Sequence, residues 1–363
     1  MMPPGDVCLP RSMPVFPPYR KIDFVGGGAR FEEARMRVAV VGTGFISTLV
    51  APKIARWGYT VTDVVSTPRS LAKAQELAGP LGARASCDYD AVLAREDVDA
   101  VYLGIPNDLH RDYATRALRA GKHVILEKPM AANSAQAQEI LDLARERGLL
   151  LFDATTTFYL PTTRKVAEWL PLVGDVKLAV ANYSQYSSRY DRFRRGDIAP
   201  AFDPAHAGGA LMDLGHYCVS WLCRMFGEPR GVTYAANVER GIDTSGVALL
   251  DYGDFKAMSI AAKDCDAPSY QIVQGTAGYI RVDGKPNGLG TVELCLHDGS
   301  VQTYVPPEQD QYQGEFEALR TFAEDGEKGL EECWRMAELG LVVSRVQTQA
   351  RASAGIVFPA DAR

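Results

Sequence analysis

One segment near the start of the 363-residue chain limits its fold more than any other. Val38-Ala39-Val40-Val41 is a short β-branched run that passes straight into Gly42-Thr43-Gly44-Phe45-Ile46-Ser47, and a helical pattern follows. Strand, glycine turn and helix in that order open a parallel α/β sheet, because parallel strands need a crossover helix between them. The alternation continues. Val61 to Val65, Ala100 to Gly104 and Val124 to Leu126 read as further buried strands, and Ser70 to Ala78, His110 to Ala120 and Ser134 to Arg147 carry apolar residues at helical spacing. These elements fill a doubly wound domain that ends near Phe152. Pro52 falls inside the first helix, where its missing N–H predicts a kink or an early break.

The second half has a different rhythm. After a helix at Thr163 to Trp169 come Val176 to Tyr186, Gly231 to Glu239, Val247 to Tyr252, Ala257 to Ala262, Ser269 to Gln274, Gly278 to Val282 and Val292 to Leu296. Strands in succession without helices between them predict an antiparallel sheet. Ala210 to Phe226 interrupts them with one strong amphipathic helix, and Gly314 to Ala323 and Glu331 to Ala350 close the chain, the last long enough to pack back across both halves. The expected domains are 36–158 and 159–363, preceded by a loose arm, 1–35, rich in proline and glycine, whose length also fits an upstream choice of start codon.

Composition removes several classes of function. A net charge of -6 and the lack of a basic stripe argue against a nucleic-acid partner. No stretch approaches the length of a membrane span, and the first residues have no secretory pattern. The seven cysteines are scattered without metal or redox spacing, so free thiols in a cytoplasmic protein and no metal site are expected.

Gly42, Thr43, Gly44, Phe45 and Ile46 form the expected cradle for a dinucleotide pyrophosphate, with Ser47 where a third small residue presses the helix onto the strand. A ribose-binding acid would stand at the end of the second strand, but that end reads Val65-Ser66-Thr67-Pro68-Arg69. Asp63 comes too early. Ser66, Thr67 and Arg69 suit a 2'-phosphate, which favours NADP over NAD, although Arg69 alone also fits a solvated helix start.

Glu127-Lys128-Pro129 ends the strand beginning at Val124, which places charges where parallel sheets bind ligands. A lysine partly out of water beside an oxidised nicotinamide is expected to have a lowered pKa, and Pro129 offers a cis peptide that would aim it inward. With these residues, Gly104-Ile105-Pro106-Asn107-Asp108-Leu109-His110, Ala120-Gly121-Lys122-His123-Val124 and Gly208-Gly209-Ala210-Leu211-Met212-Asp213-Leu214-Gly215-His216-Tyr217, the sequence resembles the Gfo/Idh/MocA family of oxidoreductases. The resemblance covers everything after the arm. It implies an N-terminal Rossmann domain and a C-terminal α+β domain with an open-faced, mostly antiparallel sheet, the active site lying between them with Lys128 at its centre.

In many members a helix of the second domain offers an Asp and, four residues on, a His; here the pair is Asp213 and Tyr217, similar to the glucose-fructose oxidoreductase and dimeric dihydrodiol dehydrogenase branch. The spacing puts both on one helix face, whereas His216 lies about 100° away and is given no acid/base role. Tyr217 and Lys128 are the expected proton carriers, and Asp213 holds a substrate hydroxyl or orients Lys128. Alternatively Asp213 caps the helix and Tyr217 is a core aromatic; Gly208-Gly209 favours the site by permitting close approach to a ligand. Pro106, Asn107, Glu127 and His110 join the cofactor contacts, although His110 equally suits a structural place at a helix start. Tyr186 and Arg189, in a stretch mixing aromatic, hydroxyl and guanidinium groups, are substrate candidates or parts of an exposed loop.

The expected reaction is hydride transfer between nicotinamide and a CH–OH or carbonyl carbon of a sugar, nucleotide sugar, polyol or cyclic diol. NAD-dependent, redox-assisted glycoside cleavage and a dinucleotide-sensing regulator are the alternatives. An open sheet face predicts a homodimer or homotetramer.

Overall fold

The computed structural model describes residues 35–362. The expected arm lies outside the described residues except for Arg35. Two sheets organise the rest. The first runs through β1 (Arg37–Val41), α1 (Phe45–Arg56), β2 (Thr60–Val65), α2 (Leu71–Ala78), β3 (Arg84–Ser86), α3 (Tyr89–Leu93), β4 (Ala100–Leu103), α4 (His110–Arg119), β5 (His123–Leu126), α5 (Ser134–Arg147) and β6 (Leu151–Asp153). Its strands are all parallel, in the order β3-β2-β1-β4-β5-β6. The order reverses between β1 and β4, so a crevice opens beyond their carboxyl ends. Burial on both faces explains the unbroken apolar runs: Val38, Val40, Val101, Leu103, Val124 and Leu126 are all fully enclosed.

Local chemistry sets the helix ends. Asn133 accepts from the Gln136 N–H at 3.0 Å to cap α5, whose other end turns on Gly148 at φ +64°. Pro52 does not break α1, which runs unbroken from Phe45 to Arg56. The proline lies on the exposed side of the helix, as does Thr48, the residue four back whose carbonyl loses its donor.

The second half comprises α6 (Pro161–Trp169), β7 (Val176–Ser184), α7 (Tyr190–Arg194), α8 (Ala210–Phe226), β8 (Gly231–Glu239), β9 (Ile242–Asp251), β10 (Lys256–Ala262), β11 (Tyr270–Gly275), β12 (Gly278–Asp283), β13 (Val292–Leu296), β14 (Val301–Tyr304), α9 (Gln313–Glu324) and α10 (Gly326–Ser353). The eight strands lie in the order β14-β13-β12-β11-β7-β10-β9-β8. All neighbours are antiparallel except β7 and β10, whose parallel register pairs Ala262 with Ser184. That pairing brings the carboxyl ends of both strands to one edge. One face of the sheet packs on α8. The other leaves Leu178, Val247, Leu249, Met258 and Tyr279 exposed.

Strand β9 starts at Ile242, five residues before the sequence pattern suggests, because Asp243, Thr244 and Ser245 are buried polar residues. Each is satisfied. Asp243 reaches the start of α8, and the hydroxyls of Thr244 and Ser245 donate to Asp264 Oδ2 at 2.7 and 2.8 Å. Helix α10 rests on α5 and β6 of the first half and on α8 and β8 of the second. Among the described residues no helix is long and apolar enough to cross a membrane, and the six cysteines are free thiols.

Candidate active site

At the β1–α1 turn, Gly42 has φ +109°, and a Cβ there would lie 2.4 Å from the Gly104 carbonyl oxygen of the neighbouring strand end. Only glycine fits. Gly44 is different, since nothing lies within 4 Å of where its Cβ would be. The first turn of α1 has no side-chain cap and no acidic residue, and Phe45 beside it is 74% exposed. Uncapped amides, the positive end of the helix dipole and an open side at Gly44 fit a dinucleotide diphosphate. Ser47 replaces the usual third small residue at no cost in polarity, because its buried hydroxyl donates to Gly104 O at 3.1 Å.

Past the end of β2, Thr67 and Arg69 are exposed and Ser66 is half-buried, its hydroxyl donating to Thr67 O at 3.1 Å. Asp63 is enclosed and paired with Arg95 at 2.7 Å and Arg84 at 3.3 Å. The acid of this strand is thus spent inside the protein. Pro106 precedes a single helical turn whose first residue, Asn107, donates through Nδ2 to Ala207 O at 2.9 Å. His110 is fully buried between Pro129 O at 2.9 Å and Ile105 O at 3.0 Å, so it ties two strand-end loops together. Glu127 also turns inward, accepting from the Tyr102 hydroxyl at 2.6 Å, and burial raises its pKa.

Lys128 follows at the end of β5, joined to Pro129 by a cis peptide. Its Nζ donates to Asp213 Oδ1 at 3.0 Å and sits 4.5 Å from the centroid of the Tyr217 ring. The three expected catalytic side chains therefore converge, with the ammonium over the phenol's face. Asp213 and Tyr217, one turn apart on α8, both point at Lys128.

A second lysine completes the group. Lys263, directly after β10, donates to Asp213 Oδ2 at 2.9 Å and to Ala201 O at 2.7 Å, and its Nζ lies 4.2 Å from the centroid of the Phe202 ring. Burial works against the Asp213 carboxylate, but Lys263 and Lys128 outweigh it and hold the carboxyl well below its usual range. Burial likewise works against the Lys128 ammonium. Tyr217 and Asp213 more than compensate, so its pKa lies above the ordinary lysine value and the expected lowering is reversed. The Tyr217 phenol is pushed up by burial, with Lys128 offsetting only part.

The glycines before α8 serve a different purpose from the one expected. A Cβ on Gly209, at φ +104°, would lie 2.1 Å from Asp243 Oδ1, and one on Gly208 would lie 2.6 Å from Pro200 O. Both make room for protein rather than ligand. Asp243 also takes the capping role that Asp213 does not fill, accepting from the Leu211 N–H at 2.6 Å and from the Tyr234 hydroxyl at 2.8 Å. His216 faces away from Lys128's side of the helix, between Thr155 and Gln347, and burial followed by Lys128 lowers its pKa to about 3.

Of the substrate candidates, Tyr186 is exposed and donates to Asp191 Oδ1 at 2.8 Å, while Arg189 is exposed at the start of α7. The sequence reading missed Lys263 and Tyr183. The Tyr183 ring lies 6.0 Å from that of Tyr217 and 5.4 Å from Lys285 Nζ, which donates to Gln185 Oε1 at 2.8 Å. The available signal for Lys263 was the one that revealed Lys128, a charge directly after a buried strand.

Residues 36–154 match the oxidoreductase family with an NAD-binding Rossmann fold, and residues 172–281 match the GFO/IDH/MocA C-terminal domain. The chain is 33% identical over 334 residues to scyllo-inositol 2-dehydrogenase (NADP(+)) IolU of Bacillus subtilis, covering 90% of this chain and 99% of that protein. It is 31% identical over 261 residues to trans-1,2-dihydrobenzene-1,2-diol dehydrogenase of Macaca fascicularis, covering 68% and 74%. Among solved structures, KijD10, a 3-ketoreductase from Actinomadura kijaniata in complex with NADP and TDP-benzene, superposes with a TM-score of 0.75 at 27% identity, covering 88% of this chain and 98% of that one. The chain belongs to the Gfo/Idh/MocA family and is an NAD(P)-dependent oxidoreductase.

Proposed function

We propose that this enzyme moves a hydride between NADP and a ring carbon bearing a hydroxyl or carbonyl, with a cyclic polyol, sugar or nucleotide sugar as substrate. The observation that carries the reading is the meeting of Lys128, Asp213 and Tyr217, one from the first sheet and two from α8. Residues 36–158 hold the cofactor, and 159–363 supply the substrate face. Gly42, Thr43, Gly44, Phe45 and Ile46 cradle the diphosphate, while Ser66, Thr67 and Arg69 take the 2'-phosphate that a ribose-binding acid would repel. Pro106 and Asn107 border the nicotinamide. When bound, the nicotinamide supplies or accepts the hydride.

The chain's own residues handle the proton. Asp213 fixes the Lys128 ammonium, which is thereby a permanent positive charge that stabilises oxyanion character on the reacting oxygen. Tyr217, a neutral phenol in this setting, gives its proton when a carbonyl is reduced and is left as a phenolate beside the Lys128 ammonium; in alcohol oxidation that phenolate form accepts the hydroxyl proton, a contribution of roughly 10²- to 10⁴-fold. Tyr186 and Arg189 contact the outer part of the substrate. Inositols, diols and deoxysugar ketones, the compounds named in the relatives, share an oxygenated ring carbon flanked by another. The exposed apolar residues of the open sheet face fit a second copy of the chain, which makes a homodimer the proposed assembly.

The test follows absorbance of the reduced nicotinamide across inositols, aldoses, keto-sugars and cyclic diols with NADP and with NAD. Turnover with one of these classes, lost in Lys128→Ala and Tyr217→Phe while cofactor binding persists, supports the assignment. Normal turnover in both variants removes it, and product formation without net cofactor change points to redox-assisted glycoside cleavage.

A further inference from the structure

Behind the catalytic group, Asp153 at the end of β6 lies 2.6 Å through Oδ1 from Thr155 Oγ1, which is 3.0 Å from His216 Nε2. His216 Nδ1 is 3.3 Å from Gln347 Oε1 on α10. All four side chains are at most 1% exposed. Gln347 Nε2 donates to Leu211 O at 2.9 Å, and a carbonyl oxygen accepts only, so the amide cannot be turned round. Its oxygen therefore faces His216, and His216 Nδ1 carries the hydrogen. In a neutral imidazole, Nε2 is then the acceptor and takes the Thr155 hydroxyl hydrogen. Thr155 has no second hydrogen to give, so the short contact with Asp153 needs a hydrogen on the carboxyl.

A separate observation agrees. Asp153 Oδ2 is buried without a hydrogen-bond partner against Gly340, where a Cβ would come within 1.8 Å of it. A carboxylate with one oxygen so placed would be strongly disfavoured, whereas a neutral carboxylic acid is tolerable.

We infer that Asp153, Thr155 and His216 hold a single shared proton, and that this proton positions α8 so that Tyr217 meets Lys128. The inference rests on the role given above to Tyr217. None of the three touches the reacting atoms; they are positioning residues. The proton has two places. On Asp153, it leaves Thr155 free to donate to Nε2. If the Asp153 O–H breaks as a bond to Thr155 Oγ1 forms, the hydroxyl's own hydrogen passes to Nε2, giving a carboxylate and an imidazolium. The surroundings favour the first arrangement. Burial raises the Asp153 pKa to about 7 and, followed by Lys128, lowers that of His216 to about 3. Glu127, just past β5, and Glu315 of α9 lie near Asp153, as does the Cys333 thiol of α10; Lys128 and Asp213, on the other side of α8, act on His216 only through their charges. Once the proton is lost, one hydroxyl hydrogen serves two acceptors and the contact between β6 and α8 loses a bond.

The native state keeps the Asp153 proton up to about pH 7, whereas an ordinary aspartate gives it up near 3.8. Stability held by this proton is complete below the lower value, is lost as pH rises, and is gone above about pH 7. Asp153→Asn stays uncharged throughout. The thermal midpoint of the full-length variant minus that of the wild type should therefore grow from about pH 4 to 7 and then level. Thr155→Val should lower the midpoint at pH 6 and cut kcat about tenfold with cofactor KM unchanged, and Thr155→Ser should restore both. Nitrogen NMR of the wild-type chain should show His216 protonated at Nδ1. A flat difference curve, a silent Thr155→Val or an Nε2–H tautomer overturns the inference. Retained turnover in Lys128→Ala would instead strike the functional reading, and the Asp153 curve does not depend on it.

Discussion

Replacing Lys263 with Met tests whether the second lysine belongs to the active site. The side chain is 3% exposed and its ammonium serves three partners: Asp213 Oδ2, Ala201 O and the Phe202 ring. Methionine keeps the volume and removes all three. Breaking a buried ion pair by deleting one partner costs roughly 3–5 kcal/mol, because the remaining charge stays buried. Asp213 keeps Lys128 and is itself one-third exposed in its side chain, so about 3 kcal/mol is the working figure, a fall of roughly 5–10 °C in the midpoint. The effect on catalysis is separable. With Oδ2 released, the carboxylate can turn both oxygens to Lys128 and draw the ammonium away from Tyr217. Loss of about 1.4 kcal/mol of transition-state stabilisation corresponds to a tenfold lower kcat. The assays are scanning calorimetry of the variant and steady-state kinetics with the best substrate of the screen. A lower midpoint with unchanged kcat would make Lys263 only a structural strut, and wild-type values in both would refute the reasoning.

Three other results are expected. Arg69→Ala should raise the KM for NADP about tenfold and leave that for NAD unchanged, as seen by initial rates with each cofactor; equal effects on both would end the 2'-phosphate assignment. Gly44→Ala should fold normally, as the site of its Cβ is open, yet bind NADP about tenfold more weakly in a fluorescence titration, while Gly209→Ala should lower the thermal midpoint because its Cβ strikes Asp243.

The first sheet was legible because its strands are buried on both faces and its helices on one, which writes the two periodicities plainly into Val38 to Arg147. Short β3 and β14, with partly exposed residues at sheet edges, carry no such pattern. The start of β9 was hidden because Asp243, Thr244 and Ser245 look like a turn until their partners are seen. Lys128 stood out from its place at the end of a parallel strand, whereas Asp213 and Tyr217 came from the family resemblance, their spacing adding that they share a helix face. Their protonation could be read from neither. The sequence argument lowered Lys128 through desolvation, but Tyr217 and the Asp213 carboxylate at 3.0 Å together outweigh that effect, and both distances depend on the contact between the two halves. Lys263 escaped for a related reason. Only the parallel pairing of β10 with β7, rare in a sheet otherwise antiparallel, shows that its end lies at the cleft.

The length of α10 has a mechanical result. One unbroken rod of 28 residues lies against β6 and α5 on one side of the crevice and against α8 and β8 on the other. Its buried Arg351 grips Asp361 at 2.8 Å and the carbonyl of Ala132, 219 positions earlier, at 3.2 Å. A wide hinge swing between the two halves would have to bend or detach this brace, at the expense of a large apolar contact. Access for small molecules is then left to the exposed segments at the cleft, among them the one that carries Tyr186.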